Sequence, residues 1–151
     1  MSIAPSAASC NHLLAALPQS ELLQLLDKCE AVDLKFAEIL AEQREPIRHV
    51  YFPTHSAIVL VTLMDDRASL EVGLVGNEGI VGTALVLDMA VSPQRALVQV
   101  PGAALRMEAD LFRQALEGSP ELQHVLKRYV HAVMAQLAQT AGCTRFHVVE
   151  A

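Results

Sequence analysis

Short segments in which apolar and polar residues alternate restrict this chain to a small set of folds. Alternation begins at Val32, "IRHVYF" and "AIVLVTLM" follow as runs rich in β-forming residues, and "ASLEVGLV" alternates again. A period of two residues predicts β-strands, and "RALVQV" and "AALRM" add two more around the turn pair Pro101-Gly102. A series of short strands with few helices between them predicts an antiparallel sandwich or jelly roll.

Alternation also predicts which side chains share a face of a sheet. One face carries Leu70, Val72 and Leu74, and an inward face carries Ala96, Val98 and Val100. Residues 65–67, which include two aspartates, suit the turn of a hairpin between the strands on either side of them.

Helical spacing is confined to the two ends of the chain. Near the N-terminus, leucines recur at helical steps on both sides of Pro18, which predicts two short helices, the second starting at Gln19-Ser20. In the last third, "EADLFRQAL" predicts a short helix that ends near Gly118. Ser119 and Pro120 then supply the N-cap and first residue of a long helix, whose apolar pattern lasts until Gly142.

The long helix is the best candidate for a contact between subunits. From Pro120 to Ala141 it would be about 33 Å long, more than a small β domain covers. Its apolar residues could all pack on the chain's own core, or the helix could pair with its copy across a two-fold axis. We favour the pairing, and the predicted homodimer interface consists of Leu122, Val125, Leu126, Tyr129, Val133 and Leu137. A second edge of Val125, Met134 and Ala138 also needs a partner.

Composition excludes several classes of function. The chain has 151 residues, 52% of them hydrophobic, which suits one core. Its formal net charge of -6 is opposite in sign to that of a DNA-binding surface, and 4% aromatic residues are too few for a surface that binds single strands by base stacking. Three scattered cysteines predict reduced thiols, and no apolar run reaches the length of a membrane helix. We therefore expect a cytoplasmic domain without a membrane partner.

A cluster of glycines marks the candidate site. "GLVGNEGIVG" places glycine at every third position from Gly73 to Gly82, without the spacing of a dinucleotide fingerprint or a P-loop. We expect Gly76 and Gly79 to turn the chain through positive φ, and Gly82 to let a short helix approach a strand. Free N–H groups at residues 79–81 would then form an anion site. The alternative is a tight turn whose glycines serve packing only.

The order of these elements, with "NHLLAALP", "IRHVYFPTHSAIVLV", "LEVGLVGNEGIVG" and "SPELQHVLKRYVHAVMAQLAQTAGC", resembles the N-terminal sensor half of the Crp/Fnr family of transcription regulators. The resemblance implies a mainly β double-stranded β-helix of the cyclic-nucleotide-binding-like type, with short N-terminal helices and a long C-terminal dimerisation helix. It also implies a ligand cassette at the glycines. The predicted ligand-contacting residues are Gly76, Asn77, Glu78, Gly79, Ile80, Val81, Gln94 and Arg95.

The identity of the effector stays open. Family members that bind cyclic nucleotides use an acidic residue, here Glu78, and an arginine that holds the phosphate. The strand register turns Arg95 outward and leaves Gln94 on the pocket face, which weighs against a cyclic nucleotide. Other members hold an iron–sulfur cluster or haem, but three scattered cysteines cannot supply a cluster. The pairs His124 with His131 and Cys143 with His147 are interpreted as helix-surface residues, and no metal is predicted.

The chain also departs from the family pattern. Phe36 or Ala37, and Arg44, stand where glycines are usual. The family's DNA-binding helix-turn-helix domain follows the long helix, and "CTRFHVVEA" resembles its first residues, so DNA contact would need a domain outside these residues. We expect a β-roll with its N-terminal helices at residues 1–118, the dimerisation helix at 119–142 and the start of the DNA-binding domain at 143–151.

Three functions are compared. The first is an effector-sensing and dimerisation domain that signals through the long helix to a DNA-binding domain. The second is a dimerisation module with an emptied pocket. The third, a cupin-like metal enzyme, is disfavoured because His49 and His55 have no third ligand at strand spacing, and we expect no catalytic residues.

Overall fold

The computed structural model describes residues 3–65 and 68–150, the last eight of them as backbone only. Within this part of the chain there are seven strands: β1 (Glu30–Leu34), β2 (Ile39–Ala41), β3 (His49–Pro53), β4 (Ala57–Leu63), β5 (Ser69–Val75), β6 (Arg95–Val100) and β7 (Gly102–Glu108). The helices are α1 (Pro5–Ala8), α2 (His12–Ala15), α3 (Gln19–Leu26), α4 (Ala109–Gly118), α5 (Pro120–Glu150) and a 3-10 helix (Thr83–Leu87).

The strands form two antiparallel sheets. The first has three strands in the order β1-β7-β3, and the second has four in the order β2-β6-β4-β5. Only β4 and β5 are neighbours both in sequence and in a sheet, so every other connection crosses over, as in a jelly roll. The predicted mainly β fold with flanking helices is confirmed.

The core has two parts, one on each face of the three-stranded sheet. The inter-sheet cluster lies between the two sheets and consists of Leu34, Tyr51, Ile58, Val75, Val81, Ala96, Val98 and Ala104. On the opposite face, Val50, Phe52, Leu105 and Met107 pack with side chains of the helices. The three-stranded sheet is therefore buried on both faces.

Strand β5 carries its predicted apolar face on the outside of the sheet. Leu70 and Leu74 of that face are 57% and 63% exposed. Val75 is the β5 residue that enters the inter-sheet cluster. Val100 is wrong as an inward residue, since half of it is exposed, whereas Ala96 and Val98 are buried as predicted. Alternation separates two faces, but it does not say which is covered when both carry apolar residues.

Helix α1 was not predicted, and the predicted helices agree with the structure except at the end of α5. The helix begins at Pro120, and the Ser119 hydroxyl accepts a hydrogen bond of 3.1 Å from the Leu122 N–H. It was expected to end at Gly142, but it continues to Glu150. Glycine inside a helix costs only about 1 kcal/mol relative to alanine, which is too little to end a helix by itself.

Two turns keep a glycine-like backbone without glycine. Ala37 and Arg44 have φ of 67° and 68°, in the left-handed region. These are the positions at which the family usually has glycine. The fold thus retains the turn geometry although the residues differ.

Candidate functional site

The glycine-rich segment at residues 76–82, which we call the cassette, leaves β5 and leads into the 3-10 helix, as predicted. Gly82 lets this helix approach a strand, as predicted, but Gly76 and Gly79 do not have the predicted positive φ. Gly82 has the left-handed φ of 111°. A Cβ on Gly82 would stand 2.8 Å from Val50 Cγ1. Gly82, where the 3-10 helix meets β3, is therefore the position that needs a glycine backbone, whereas residues 76–79 form a turn without positive φ.

Gly79 permits a close approach by the long helix. A Cβ at this position would overlap the Tyr129 hydroxyl and stand 2.7 Å from the Tyr129 ring carbon Cζ. The same hydroxyl is hydrogen-bonded to the backbone N–H of Ile80. The side chain of Ile80 is 1% exposed and packs in one cluster with Leu122 and Leu126 of α5. The cassette and α5 are therefore in direct contact.

The backbone N–H groups predicted to hold an anion already have partners. Gly79 N–H donates to the Gly76 carbonyl at 3.2 Å, and Val81 N–H donates to the Tyr51 carbonyl at 2.9 Å. Ile80 N–H is bonded to Tyr129. The prediction that these three groups are free is wrong, because the cassette bonds to its own chain on both sides.

Glu78 and Asn77 lie on the exposed side of the cassette. The Glu78 carboxylate accepts from the Gly76 N–H at 3.1 and 3.2 Å, so it bonds the backbone of its own turn. The Asn77 carbonyl accepts from the His12 N–H at 2.8 Å. These contacts order the turn, and contact of either side chain with an effector stays a prediction.

Arg95 lies on the outer face of the four-stranded sheet. It pairs with Val61 of β4, and its Nε donates to Glu42 Oε1 at 2.9 Å. The half-buried Gln94 directly precedes β6. The structure therefore does not bring Arg95 to the cassette, in agreement with the register argument from the sequence.

Asn11 also belongs to this region, although it was not among the predicted site residues. Its side chain is fully buried, and Nδ2 donates to the Pro53 carbonyl at 2.8 Å and to the Gly79 carbonyl at 3.0 Å. Oδ1 accepts from two N–H groups at the start of α2. An asparagine before a helix signals an N-cap, but nothing local to the sequence reveals the bonds to β3 and the cassette.

A row of polar side chains on the inner face of the three-stranded sheet was also missed. Tyr51 is paired with Val81 of the cassette on one side and with Arg106 of β7 on the other. Arg106 is paired in turn with Glu30 of β1, and its Nε donates to Glu30 Oε1 at 2.6 Å. The Arg106 guanidinium is also near enough to the Tyr51 hydroxyl to oppose the rise in pKa that burial causes there. The row joins residues that are far apart in sequence, so no local sequence motif predicts it.

Burial changes the acidity of two groups at the cassette. The pKa of Tyr129 is raised to about 12, first because the ring is buried and second because the negative charge of Glu78 is near. Burial also raises the pKa of Tyr51, against the opposing effect of Arg106. Both hydroxyls therefore stay protonated at neutral pH and can donate hydrogen bonds.

The predicted dimer residues divide into two groups. Leu122 and Leu126 are 3% and 0% exposed in the single chain, and Val125 and Tyr129 pack against the same cluster. The predicted interface needs correction at Leu122 and Leu126, since they fill the chain's own core. Beyond them, Val133 is half-buried and Leu137 is 49% exposed.

The structure gives no support to a metal site in the part it describes. Among those residues, no three His, Cys, Asp or Glu side chains are grouped so that they could hold a metal ion. His124 and His131 are exposed on α5, as interpreted, while the side chains of Cys143 and His147 lie outside the described part. No helix of this part has both the length and the apolar character to cross a membrane.

The fold is shared with solved regulatory proteins. The sensor domain of the transcriptional regulator DNR from Pseudomonas aeruginosa has a TM-score of 0.68 and 17% identity, over 89% of this chain and 90% of that one. The catabolite activator protein of Thermus thermophilus has a TM-score of 0.71 and 13% identity, over 89% and 63%. A regulatory subunit of a cAMP-independent protein kinase A from Trypanosoma brucei has a TM-score of 0.71 and 18% identity, over 83% and 45%.

The chain thus spans less than two thirds of the length of the Thermus and trypanosomal proteins. No protein-family model and no curated protein sequence matches it. At these identities the likeness shows the fold. The chain has the cyclic-nucleotide-binding-like jelly roll, and its resemblance to the sensor domains of Crp/Fnr-type regulators is confirmed at the level of that fold.

Proposed function

We propose that this chain is the effector-sensing and dimerisation domain of a Crp/Fnr-like transcription regulator, without catalytic activity. The observation that carries the proposal is the contact between Tyr129 of α5 and the cassette at Gly79 and Ile80. Because that contact leaves no space for a side chain at residue 79, the cassette cannot move toward α5 unless Tyr129 moves as well. An effector that shifted the cassette would therefore shift the balance between two positions of α5.

The second half of α5 supports dimerisation. Every residue from 134 to 141 is exposed, and Met134 and Leu137 are 63% and 49% exposed. An isolated helical segment of this length is marginal in water, so an apolar edge outside the domain body favours pairing. A second copy of the same helix is the partner we propose, with Val133 and Leu137 in the seam.

The remaining parts of the proposal follow from the sequence resemblance. DNA binding would belong to a helix-turn-helix domain outside these residues, and the regulator would work in the cytoplasm. A cyclic nucleotide is not the favoured effector, because Arg95 is paired with Glu42 on the outer face of the sheet. A dimerisation module with an emptied pocket is the second candidate, favoured by the internal partners of residues 79–81.

The test measures dimerisation by light scattering and the hydrogen exchange of the backbone amides of the cassette. We expect Leu137→Lys to raise the dissociation constant of the dimer, measured by light scattering, at least about tenfold, since an unpaired charge buried in the seam is costly. Gln136→Lys, a change at an exposed position of the same helix, should leave the dimer intact.

Hydrogen exchange then tests the coupling. The amide of Ile80 should exchange faster in Tyr129→Phe, which removes its hydrogen-bond partner, and in the dissociated Leu137→Lys variant. If Leu137→Lys is monomeric but the amide exchange of residues 79–81 does not change, the pairing of α5 is not coupled to the cassette. If the wild-type chain is itself monomeric at micromolar concentration, the dimer proposal is wrong.

A further inference from the structure

The two guanidinium groups of the strands lie on opposite sides of the β-roll. Among the described strands, arginine occurs only at Arg95 and Arg106. Arg95 faces outward toward Glu42. Arg106 faces inward, because directly paired residues project to the same face and its partner Tyr51 belongs to the inter-sheet cluster.

Arg106 is placed within reach of the cassette. Val81, Tyr51 and Arg106 are successive partners in one cross-strand row. Strands lie about 4.8 Å apart, so the backbones of Val81 and Arg106 are roughly 10 Å apart. Tyr51 therefore stands between Val81 of the cassette and Arg106 in this row.

The guanidinium is accessible and already holds a carboxylate. The side chain of Arg106 is 31% exposed and that of Glu30 is 54% exposed, so solvent reaches both members of the pair. Glu30 accepts through Oε1 from Nε, and a guanidinium has five N–H donors. An exposed carboxylate held in this way can be replaced by another that binds the guanidinium with both oxygens.

The surroundings define the class of molecule. Half-buried Val32, Leu40 and Leu60 pack at the edge of the inter-sheet cluster and offer apolar surface. The charge of Glu38 acts on Tyr51, and Glu108 is paired with His49, whose ring lies 6.1 Å from that of Tyr51. These acidic neighbours disfavour a multiply charged phosphate, whereas a single carboxylate only replaces the charge of Glu30.

We infer that Arg106, with Tyr51, forms the polar end of the effector site, and that this site takes a small carboxylic acid with an apolar body in place of the Glu30 carboxylate. This inference rests on the proposed sensing function and gives its effector a chemical class. Glu30 acts as an internal substitute for the effector when none is bound. Arg95 has no part in binding.

The test follows the arginine Nε–H signals of the whole chain by NMR, with hexanoate, acetate and inorganic phosphate as probes and sodium chloride at matched ionic strength. Hexanoate should shift the Arg106 signal saturably and leave the Arg95 signal in place. It should bind roughly tenfold more tightly than acetate, as burial of about two methylene groups implies.

Variants separate binding from stability. Glu30→Gln removes the competing carboxylate and should tighten hexanoate binding about tenfold, since a charge-assisted bond no longer has to be broken. Arg106→Gln should abolish the saturable shift of the remaining signals, and Arg106→Lys should weaken binding while keeping the charge. Arg95→Gln should bind like the wild type. Thermal melting of each variant, and of Glu30→Gln combined with Arg106→Gln, verifies that the chain remains folded.

Several outcomes would overturn the inference. A shift that does not saturate, or that chloride reproduces, would show screening only. Saturation by phosphate but not by hexanoate would refute the carboxylate class, and weaker binding in Glu30→Gln would refute the exchange with Glu30. None of these results decides whether α5 pairs or is coupled to the cassette, so the proposed function is judged separately by the light-scattering and hydrogen-exchange measurements.

Discussion

Single residues in strained backbone positions give the most direct prediction. Ala37 and Arg44 are left-handed, which costs a residue with a Cβ about 1–2 kcal/mol. The Ala37 N–H donates to the Val98 carbonyl and the Arg44 N–H to the Ser92 carbonyl, and glycine would keep both bonds. We expect Ala37→Gly and Arg44→Gly each to raise the free energy of unfolding by roughly 0.5–1 kcal/mol, net of the flexibility of glycine.

Denaturant unfolding measures this effect, and Ala31→Gly is the matched control. Ala31 lies exposed in the extended strand β1, so glycine there should lower the free energy of unfolding by about 0.5–1 kcal/mol. Destabilisation at residues 37 and 44 as well would show that their side chains contribute more than the backbone strain costs.

The tyrosines predict the response to alkaline pH. The chain has two tyrosines, and the pKa of Tyr129 rises from 10.0 to about 12 in the folded state. The pKa of Tyr51 is also raised. Because its pKa is higher in the folded than in the unfolded chain, protonated Tyr129 contributes fully to the free energy of unfolding below pH 10.0. This contribution is lost as the pH rises toward 12.

Ultraviolet absorbance should therefore show less tyrosinate at pH 10 in the folded chain than in the unfolded chain, and the free energy of unfolding should fall above that pH. In Tyr129→Phe this fall should be smaller, because one of the two groups is gone. If both tyrosines ionise near pH 10 in the folded chain as in the unfolded chain, their rings are not buried.

At the scale of elements, Asn11 ties the N-terminal helices to the site. Its buried side chain makes four hydrogen bonds, to β3, to the cassette and to the first N–H groups of α2. We expect Asn11→Ala to lower the free energy of unfolding by about 3 kcal/mol, because buried polar groups lose their partners. Asn77→Ala, an exposed side chain of the cassette, should change it by no more than about 0.5 kcal/mol. Denaturant unfolding of the two variants compares them, and equal effects would contradict this role of Asn11.

The elements themselves were largely predictable from the sequence, whereas their contacts were not. The start of α5 after Ser119 and the turn at Pro101-Gly102 depend on residues adjacent in the chain, and both are confirmed. The sequence placed Leu70, Val72 and Leu74 on one face of β5 but left open whether that face is covered, because burial depends on which element packs against a strand. Tyr51, Arg106 and Glu30 meet only after three separate strands pair, and that pairing leaves no local pattern.

For the whole molecule, the prediction concerns the exposed half of α5. If this segment gains a partner only in the dimer, its helical structure depends on protein concentration. We expect the melting temperature and the helical circular dichroism signal to rise as the concentration increases through the dissociation constant of the dimer. Leu137→Lys should remove this dependence. A melting temperature that is the same at all concentrations would mean that α5 is stable without a partner.

The double burial of the three-stranded sheet has a consequence for how this protein can change over time. Alternate residues of β3 and β7 project to the two faces of the sheet, and neither face is open to water along the whole strand. Few mutations in these strands are therefore neutral. Strand β5, with one open side, can exchange residues freely. Natural variation should therefore accumulate on the outside of the other sheet, while the three-stranded sheet between the two parts of the core stays nearly unaltered.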